Sequence, residues 1–109
     1  MMGVTQYTDQ IPVIKTMSGL VLMQEEQMNV MKRRPCIRCG RCVESCPQGL
    51  MPSTIANAAD KNLFEISRDY HIVDCVECGC CAYVCPAKIP LVHLIKYGKR
   101  CLRMKYEKV

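Results

Sequence analysis

Eight of the ten cysteines fall in two copies of one pattern. The first copy is Cys36-x2-Cys39-x2-Cys42-x3-Cys46-Pro47, and the second is Cys75-x2-Cys78-x2-Cys81-x3-Cys85-Pro86. This spacing suits a pair of cubane 4Fe–4S clusters. A cubane needs four thiolates at the corners of a tetrahedron. Three cysteines at steps of three residues let one tight loop wrap the cluster and supply three corners. The same wrap aims backbone N–H groups at the sulfurs. Gly40 and Gly79 follow the second cysteine of each copy, and glycine takes the positive φ of such a turn at little cost.

The pattern resembles that of bacterial ferredoxins, where the fourth cysteine, followed by proline, ligates the other cluster. The reading is therefore cluster I on Cys36, Cys39, Cys42 and Cys85, and cluster II on Cys75, Cys78, Cys81 and Cys46. Crossed ligands tie the halves together, so loss of one cluster is expected to unfold both. Structural zinc fits less well, because it takes two separated ligand pairs rather than three cysteines within seven residues. A disulfide framework calls for an oxidising compartment, and no signal-peptide pattern precedes the motifs. Cys80 and Cys101 read as small buried hydrophobes rather than ligands. His71 and His93, the two histidines, read as surface or packing residues.

A chain of 109 residues with one Phe, five Tyr and no Trp has a modest core, so the clusters must act as part of it. The protein without its metal is expected to be largely unfolded. The longest aliphatic stretch is Leu20 to Met23, far short of the roughly 20 apolar residues of a membrane span. The expected state is soluble or peripheral. The formal charge of +5 falls to roughly +1 once about −8 from the thiolates and +4 from two oxidised clusters are counted. Twelve of the fifteen basic residues lie in two patches. Lys32, Arg33, Arg34, Arg38 and Arg41 surround the first motif. Lys88, Lys96, Lys99, Arg100, Arg103, Lys105 and Lys108 follow the second. The patches are either solvated helix faces or docking surfaces for an acidic partner or an anionic membrane. Nucleic acid is not expected as a partner.

Positions 36–47 and 75–86 share six of twelve residues at an offset of 39, all of them ligands or turn-setting Gly and Pro. This predicts pseudo-twofold symmetry. The 28 residues from Pro47 to Asp74 place Met51, Ile55, Ala58, Ala59, Leu63, Ile66, Tyr70 and Val73 at nearly helical spacing. Pro52-Ser53-Thr54 suits a helix start with Ser53 or Thr54 as cap, and Asp60-Lys61-Asn62 is expected to break the segment into two short helices. Pro90 opens another helix, with Leu91, Leu94, Ile95, Gly98, Cys101 and Leu102 as its apolar stripe. Gly98 costs that helix about 1 kcal/mol, so fraying is expected there. Val13-Ile14 and Leu20-Val21-Leu22, around Thr16-Met17-Ser18-Gly19, predict a β-hairpin. It is too small to stand alone, so it either belongs to a neighbouring domain or packs on this one. Gln24 to Met31 predicts a short helix. The expected fold is mainly α: an α-helical two-cluster ferredoxin domain over residues 35–109, rather than a β-containing ferredoxin, with a short N-terminal β-hairpin arm. Residues 1–34, the hairpin and helix, are read as the remnant of a preceding domain.

The wording around the motifs carries a closer resemblance. Pro35-Cys36-Ile37-Arg38-Cys39-Gly40-Arg41-Cys42-Val43-Glu44-Ser45-Cys46-Pro47 resembles the ferredoxin region of the C subunit of the Rnf electron-transport complex. So does Asp74-Cys75-Val76-Glu77-Cys78-Gly79 through Pro86-Ala87-Lys88-Ile89-Pro90-Leu91-Val92. Met1-Met2-Gly3 and the stretch from Pro12-Val13-Ile14-Lys15 to Ser18-Gly19 look like the family's segment just upstream. The resemblance implies a piece of a larger subunit whose flavin- and NADH-binding region lies ahead of this segment. No Gly-rich nucleotide loop occurs here. It implies an electron relay, with no catalytic site of its own, inside an ion-translocating ferredoxin:NAD oxidoreductase. It also implies a peripheral place on the cytoplasmic face of the bacterial inner membrane, with the other subunits of that redox complex as partners. The alternatives are a ferredoxin-like module of another multisubunit dehydrogenase or heterodisulfide-reductase-like enzyme, and a structural or oxygen-sensing role.

Ile37, Val43, Val76 and Val84 are expected to shield the clusters from water. Arg38 and Arg41 lie in the first motif and Glu77 in the second. Charge is one lever on cluster potential, so the cationic first wrap is expected to raise the potential of cluster I.

Overall fold

A computed structural model describes residues 6, 8–24 and 32–107. The chain divides into two compact units, Met2–Met31 and Lys32–Val109. The larger one contains helices α1 (Arg41–Glu44), α2 (Pro52–Asp60), α3 (Phe64–Asp69), α4 (Cys80–Val84) and α5 (Leu91–Glu107), with a 3₁₀ turn at Ile72–Asp74 before α4.

Each boundary has a local cause. Pro52 takes the first helical position of α2, where its missing N–H and fixed φ are tolerated. The Met51 carbonyl accepts the first helical bond from the Ile55 N–H at 3.1 Å. Ser53 and Thr54, expected as caps, lie inside the first turn, and no side chain caps this helix. The expected break at Asp60-Lys61-Asn62 is present. Asn62 turns left-handed at φ 59, and the N–H groups of Asn62 and Leu63 return to Ala59 and Ala58 at 3.1 and 2.8 Å. The break resets the helical phase. Leu63, Ile66 and Tyr70, which the sequence places at nearly helical spacing with Ile55, are exposed as a result. Ser67 is buried instead, and its hydroxyl donates to the Ile55 carbonyl at 3.4 Å, fastening α3 to α2. His71, at φ 58, then turns the chain so that Ile72 enters the core.

That core joins Ile55 and Ala56 of α2 to Ile72 and to Leu91, Ile95 and Leu102 of α5, with Cys81, Cys85, Ala87 and Ile89 beside them. The apolar stripe expected on α5 is the one that packs. Gly98 does not fray the helix, which runs unbroken to Glu107. A Cβ at Gly98 would lie 2.8 Å from Ile72 Cδ1 and 2.9 Å from the Ala59 Cβ. The glycine's lower propensity is thus offset by close packing.

The expected N-terminal hairpin is not formed: residues 8–24 contain no strand. A turn forms there instead, with Met17 N–H donating to the Ile14 carbonyl at 3.0 Å. Val13, Ile14, Leu20, Val21 and Leu22 are 61–89% exposed. Two short apolar runs cannot hold a two-stranded ribbon when neither face is covered. Of the helix expected over 24–31, Gln24 is non-helical and the rest lies outside the described residues. Among the described residues no helix is long and apolar enough to cross a membrane.

Candidate metal centre

The sequence repeat extends into the backbone beyond the shared residues. Arg38 and Glu77, 39 residues apart, have φ 54 and 57, and Gly40 and Gly79 have φ 76 and 84. The pair Gly49 and Lys88 continues the register at φ 65 and 54, although the two residues share no chemistry. Their N–H groups donate to Cys46 and Cys85 at 3.2 and 3.3 Å. Short helices α1 and α4 start at equivalent positions, each after a left-handed glycine. In each wrap one backbone amide already points at sulfur. Arg38 N–H donates to Cys36 Sγ and Glu77 N–H to Cys75 Sγ, both at 3.4 Å.

These turns build two apolar cavities. One is bordered by Cys36, Cys39, Cys42 and Cys85, with Ala87, Ile89 and Leu91. The other is bordered by Cys75, Cys78, Cys81 and Cys46, with Leu50, Ile55 and Ile95. Each cavity thus gathers three cysteines of one run and the fourth of the other. The four thiols line walls instead of meeting at a point. Among the described residues no three His, Cys, Asp or Glu side chains converge as a single-ion site. A cubane carries its thiolates on four separate irons, so four spaced thiols with amides aimed at sulfur fit that group. Cys81 and Cys85 are buried. Burial, with smaller repulsions from Cys75, Cys78 and Cys42, pushes the Cys81 thiol up to about 11, so iron must displace a proton to bind there.

The surroundings differ from expectation in three respects. Ile37 and Val76 are 69% and 52% exposed. They border the cavities but stay open to solvent, and the more buried walls come from Leu50, Ile55, Ile89, Leu91 and Ile95. Cys80 is exposed rather than buried, and its thiol is held above the usual range by a hydrogen bond with Cys78. Cys101 is half-buried. Finally, the second basic patch is not a uniform solvated face. Lys96 and Lys99 turn in toward Glu77, with Nζ–Oε distances of 3.8 and 3.2 Å. The signal for this was available in an acid inside the second motif and lysines at i, i+3 on α5. His71 and His93 are exposed and stand outside both cavities.

Beside the first wrap opens a larger groove of about 820 Å³. Arg33, Arg34 and Arg38 stand on its rim, and Met51, Ala56, Ile89, Leu91 and Leu94 form its apolar side. Arg33 is held by Asp60 of α2 at 3.1 Å.

Residues 35–89 match the 4Fe-4S dicluster domain. The chain is 44% identical over 97 residues to the C subunit of the ion-translocating oxidoreductase complex of Methanosarcina acetivorans, covering 89% of this chain and 22% of that protein. It is 42% identical over 100 residues to the C subunit of the Na(+)-translocating ferredoxin:NAD(+) oxidoreductase complex of Acetobacterium woodii, covering 92% and 23%. With the C subunit of the proton-translocating ferredoxin:NAD(+) oxidoreductase complex of Clostridium ljungdahlii it shares 43% over 100 residues, covering 91% and 22%. The chain spans about a fifth of the length of these curated relatives. The resemblance read from the motif wording therefore holds over most of the segment. With its two runs of cysteines and the match across both, the chain belongs to the 4Fe-4S dicluster domain family.

Proposed function

We propose that this chain is the electron-relay segment of a membrane-associated, ion-translocating ferredoxin:NAD oxidoreductase. In this reading Cys36, Cys39, Cys42 and Cys85 hold one 4Fe–4S cluster, and Cys75, Cys78, Cys81 and Cys46 hold the other. The observation that carries it is the pairing of each wrap with the fourth cysteine of the opposite run in one cavity. The clusters supply one-electron redox chemistry when bound; the protein supplies thiolates, amide hydrogen bonds and a dry wall. No acid, base or nucleophile is needed for this task. The flavin and NADH sites belong to the part of such a subunit that precedes this segment. The domain runs over 35–109, and the relatives' names support a place in a redox complex built of several subunits.

The arginine-rimmed groove is the docking face for an acidic redox partner on the cytoplasmic side of the membrane, which the segment meets as a peripheral part. Its apolar side excludes water and its rim steers the encounter. Anaerobic reconstitution with iron and sulfide tests the whole reading. About eight irons per chain, and EPR of two interacting reduced clusters, are the expected result. One cluster, or a metal that dithionite cannot reduce, overturns it. For the docking face, Arg34→Glu is expected to slow partner association about tenfold at low salt and much less at high salt. An unchanged rate removes the groove from the argument.

A further inference from the structure

The second wrap carries a charged group turned inward. The side chains of Glu77, Lys96 and Lys99 are only 13%, 17% and 23% exposed. Lys99 Nζ donates to the backbone carbonyl of Cys75 and, at 3.2 Å, to Glu77 Oε1. Lys96 Nζ stands 3.8 Å from Glu77 Oε2. The Glu77 amide is the one that donates to Cys75 Sγ. One ammonium therefore holds both residues that make the amide–sulfur bond of this wrap.

At the offset of 39 the counterparts of Glu77, Lys96 and Lys99 are Arg38, Asn57 and Asp60. The charges at the first and third positions are inverted. Asp60 bonds Arg33, ahead of the wrap. Among the described residues no hydrogen bond or ion pair joins an α2 side chain to residues 36–42. The large groove opens on that side. The half with lysines is closed, and the half without them is open.

We propose that Lys99, assisted by Lys96, is a positioning residue that clamps the second wrap onto α5. It also keeps net positive charge beside the sulfurs of Cys75, Cys78, Cys81 and Cys46, which makes one-electron reduction at that site easier. The inference rests on the cysteine assignment under Proposed function. Two ammonium groups against one carboxylate leave one positive charge, and partial burial limits its screening by salt. The electron arriving from the redox partner adds one negative charge to the site, and no bond or proton is exchanged. Site potentials respond to net charge, hydrogen bonds to sulfur and exposure, and this clamp bears on all three.

The test is an anaerobic EPR redox titration of the full, cluster-loaded chain as wild type, Lys99→Met, Lys99→Arg and Glu77→Gln, with iron counted in each. Lys99→Met is expected to shift the reduced-to-oxidised ratio of one cluster about tenfold toward oxidised, a fall of about 59 mV for a one-electron couple. Lys99→Arg keeps the charge and restores most of the shift. Glu77→Gln moves the same midpoint upward. Opposite signs from two partners of one ion pair are not what a merely structural role produces. If wild type holds fewer than about eight irons, the cysteine assignment falls and takes the clamp with it. If it holds eight and both midpoints stay in place in Lys99→Met and Glu77→Gln, the clamp falls and the assignment stands. If Lys99→Met loses iron, Lys96→Met decides, since it leaves the bond to Cys75 in place. A smaller downward shift supports the clamp, and none overturns it.

Discussion

Cys36 and Cys39 of the first wrap are exposed, Cys36 on a broad groove, whereas Cys75 and Cys78 of the second are half-buried and Cys81 is buried. The two wraps nonetheless share left-handed turns at equivalent positions and the same amide-to-sulfur distance. The difference teaches what a repeat preserves. Backbone geometry set by four thiols at fixed spacing is duplicated, and everything that tunes the site is free to diverge. Glu77 and Lys99 in one half stand where Arg38 and Asp60 stand in the other.

The strongest way to break the comparison is to break the crossing. Cys85 is buried and borders the first cavity although it comes from the second run. Cys85→Ser is expected to empty the first site and destabilise the second with it. Iron should fall to about four or fewer, with a large loss of far-UV helical signal. An intact second cluster in a fully helical protein would show that the halves are independent.

The next effect is on packing, and it falls on the helix that closes the second half. Gly98→Ala gains about 1 kcal/mol of helix propensity. It also drives a methyl group against Ile72 and Ala59 at under 3 Å, and overpacking costs about 1–3 kcal/mol. A net loss of stability, by about 1 kcal/mol, is expected in a denaturant titration of the cluster-loaded chain. A gain would show that Ile72 moves aside freely.

Substitutions at Gly49 and Lys88 test the backbone register directly. Both residues are left-handed, a conformation that costs a residue with a Cβ about 1–2 kcal/mol. Gly49→Ala is expected to destabilise by about 1 kcal/mol and Lys88→Gly to stabilise by a few tenths, since glycine's extra unfolded-state entropy cancels much of the relief. The same sign in both substitutions would end the claim of equivalent turns.

Arg38→Gln sharpens the electrostatic contrast. Arg38 and Arg41 are exposed, so their charge is screened more than that of Lys99. The midpoint shift is expected to be smaller than for Lys99→Met and to fade in high salt. A larger shift would restore the cationic first wrap as the dominant influence.

The smallest expected effect lies far from both wraps. Lys105 beside Glu65, with Tyr106 bonded to the same carboxylate, holds the Glu65 carboxyl below the usual range, and Glu65 in turn raises Lys105. A lowered carboxyl pKa adds stability above the unfolded value, which is lost as pH falls through the folded one. A raised lysine adds stability below its unfolded value, which is lost as pH climbs through the folded one. The pair is exposed, so Glu65→Gln is expected to flatten the acid limb of stability against pH only slightly. An unaltered acid limb would mean that the pair contributes nothing measurable.

The eight cysteines that the fold gathers at two cavities were legible in the sequence because their spacings are short, fixed and repeated. The helix break at Asp60-Lys61-Asn62 and the α5 stripe were legible for a similar reason, since both are local. Three features were not. The phase reset at Asn62, which exposes Ile66 and buries Ser67, depends on a backbone turn that periodicity does not register. The apolar runs at Val13-Ile14 and Leu20–Leu22 have strand composition but no covered face, and composition does not say what covers a segment. The inward turn of Lys96 and Lys99 needs the distance from α5 to the second wrap, which only the fold supplies.

The crossing of cysteines also bears on how such a protein is made. Cys85 leaves the ribosome after every other thiol in either cavity. If it closes the first site, no cubane there can gain its last ligand while the chain is still short of that residue. A nascent chain would carry three reactive thiols per wrap with no shelter. The last ligands of the two sites, Cys81 and Cys85, emerge close together, so both clusters are completed late and the supply of iron and sulfide must wait on translation.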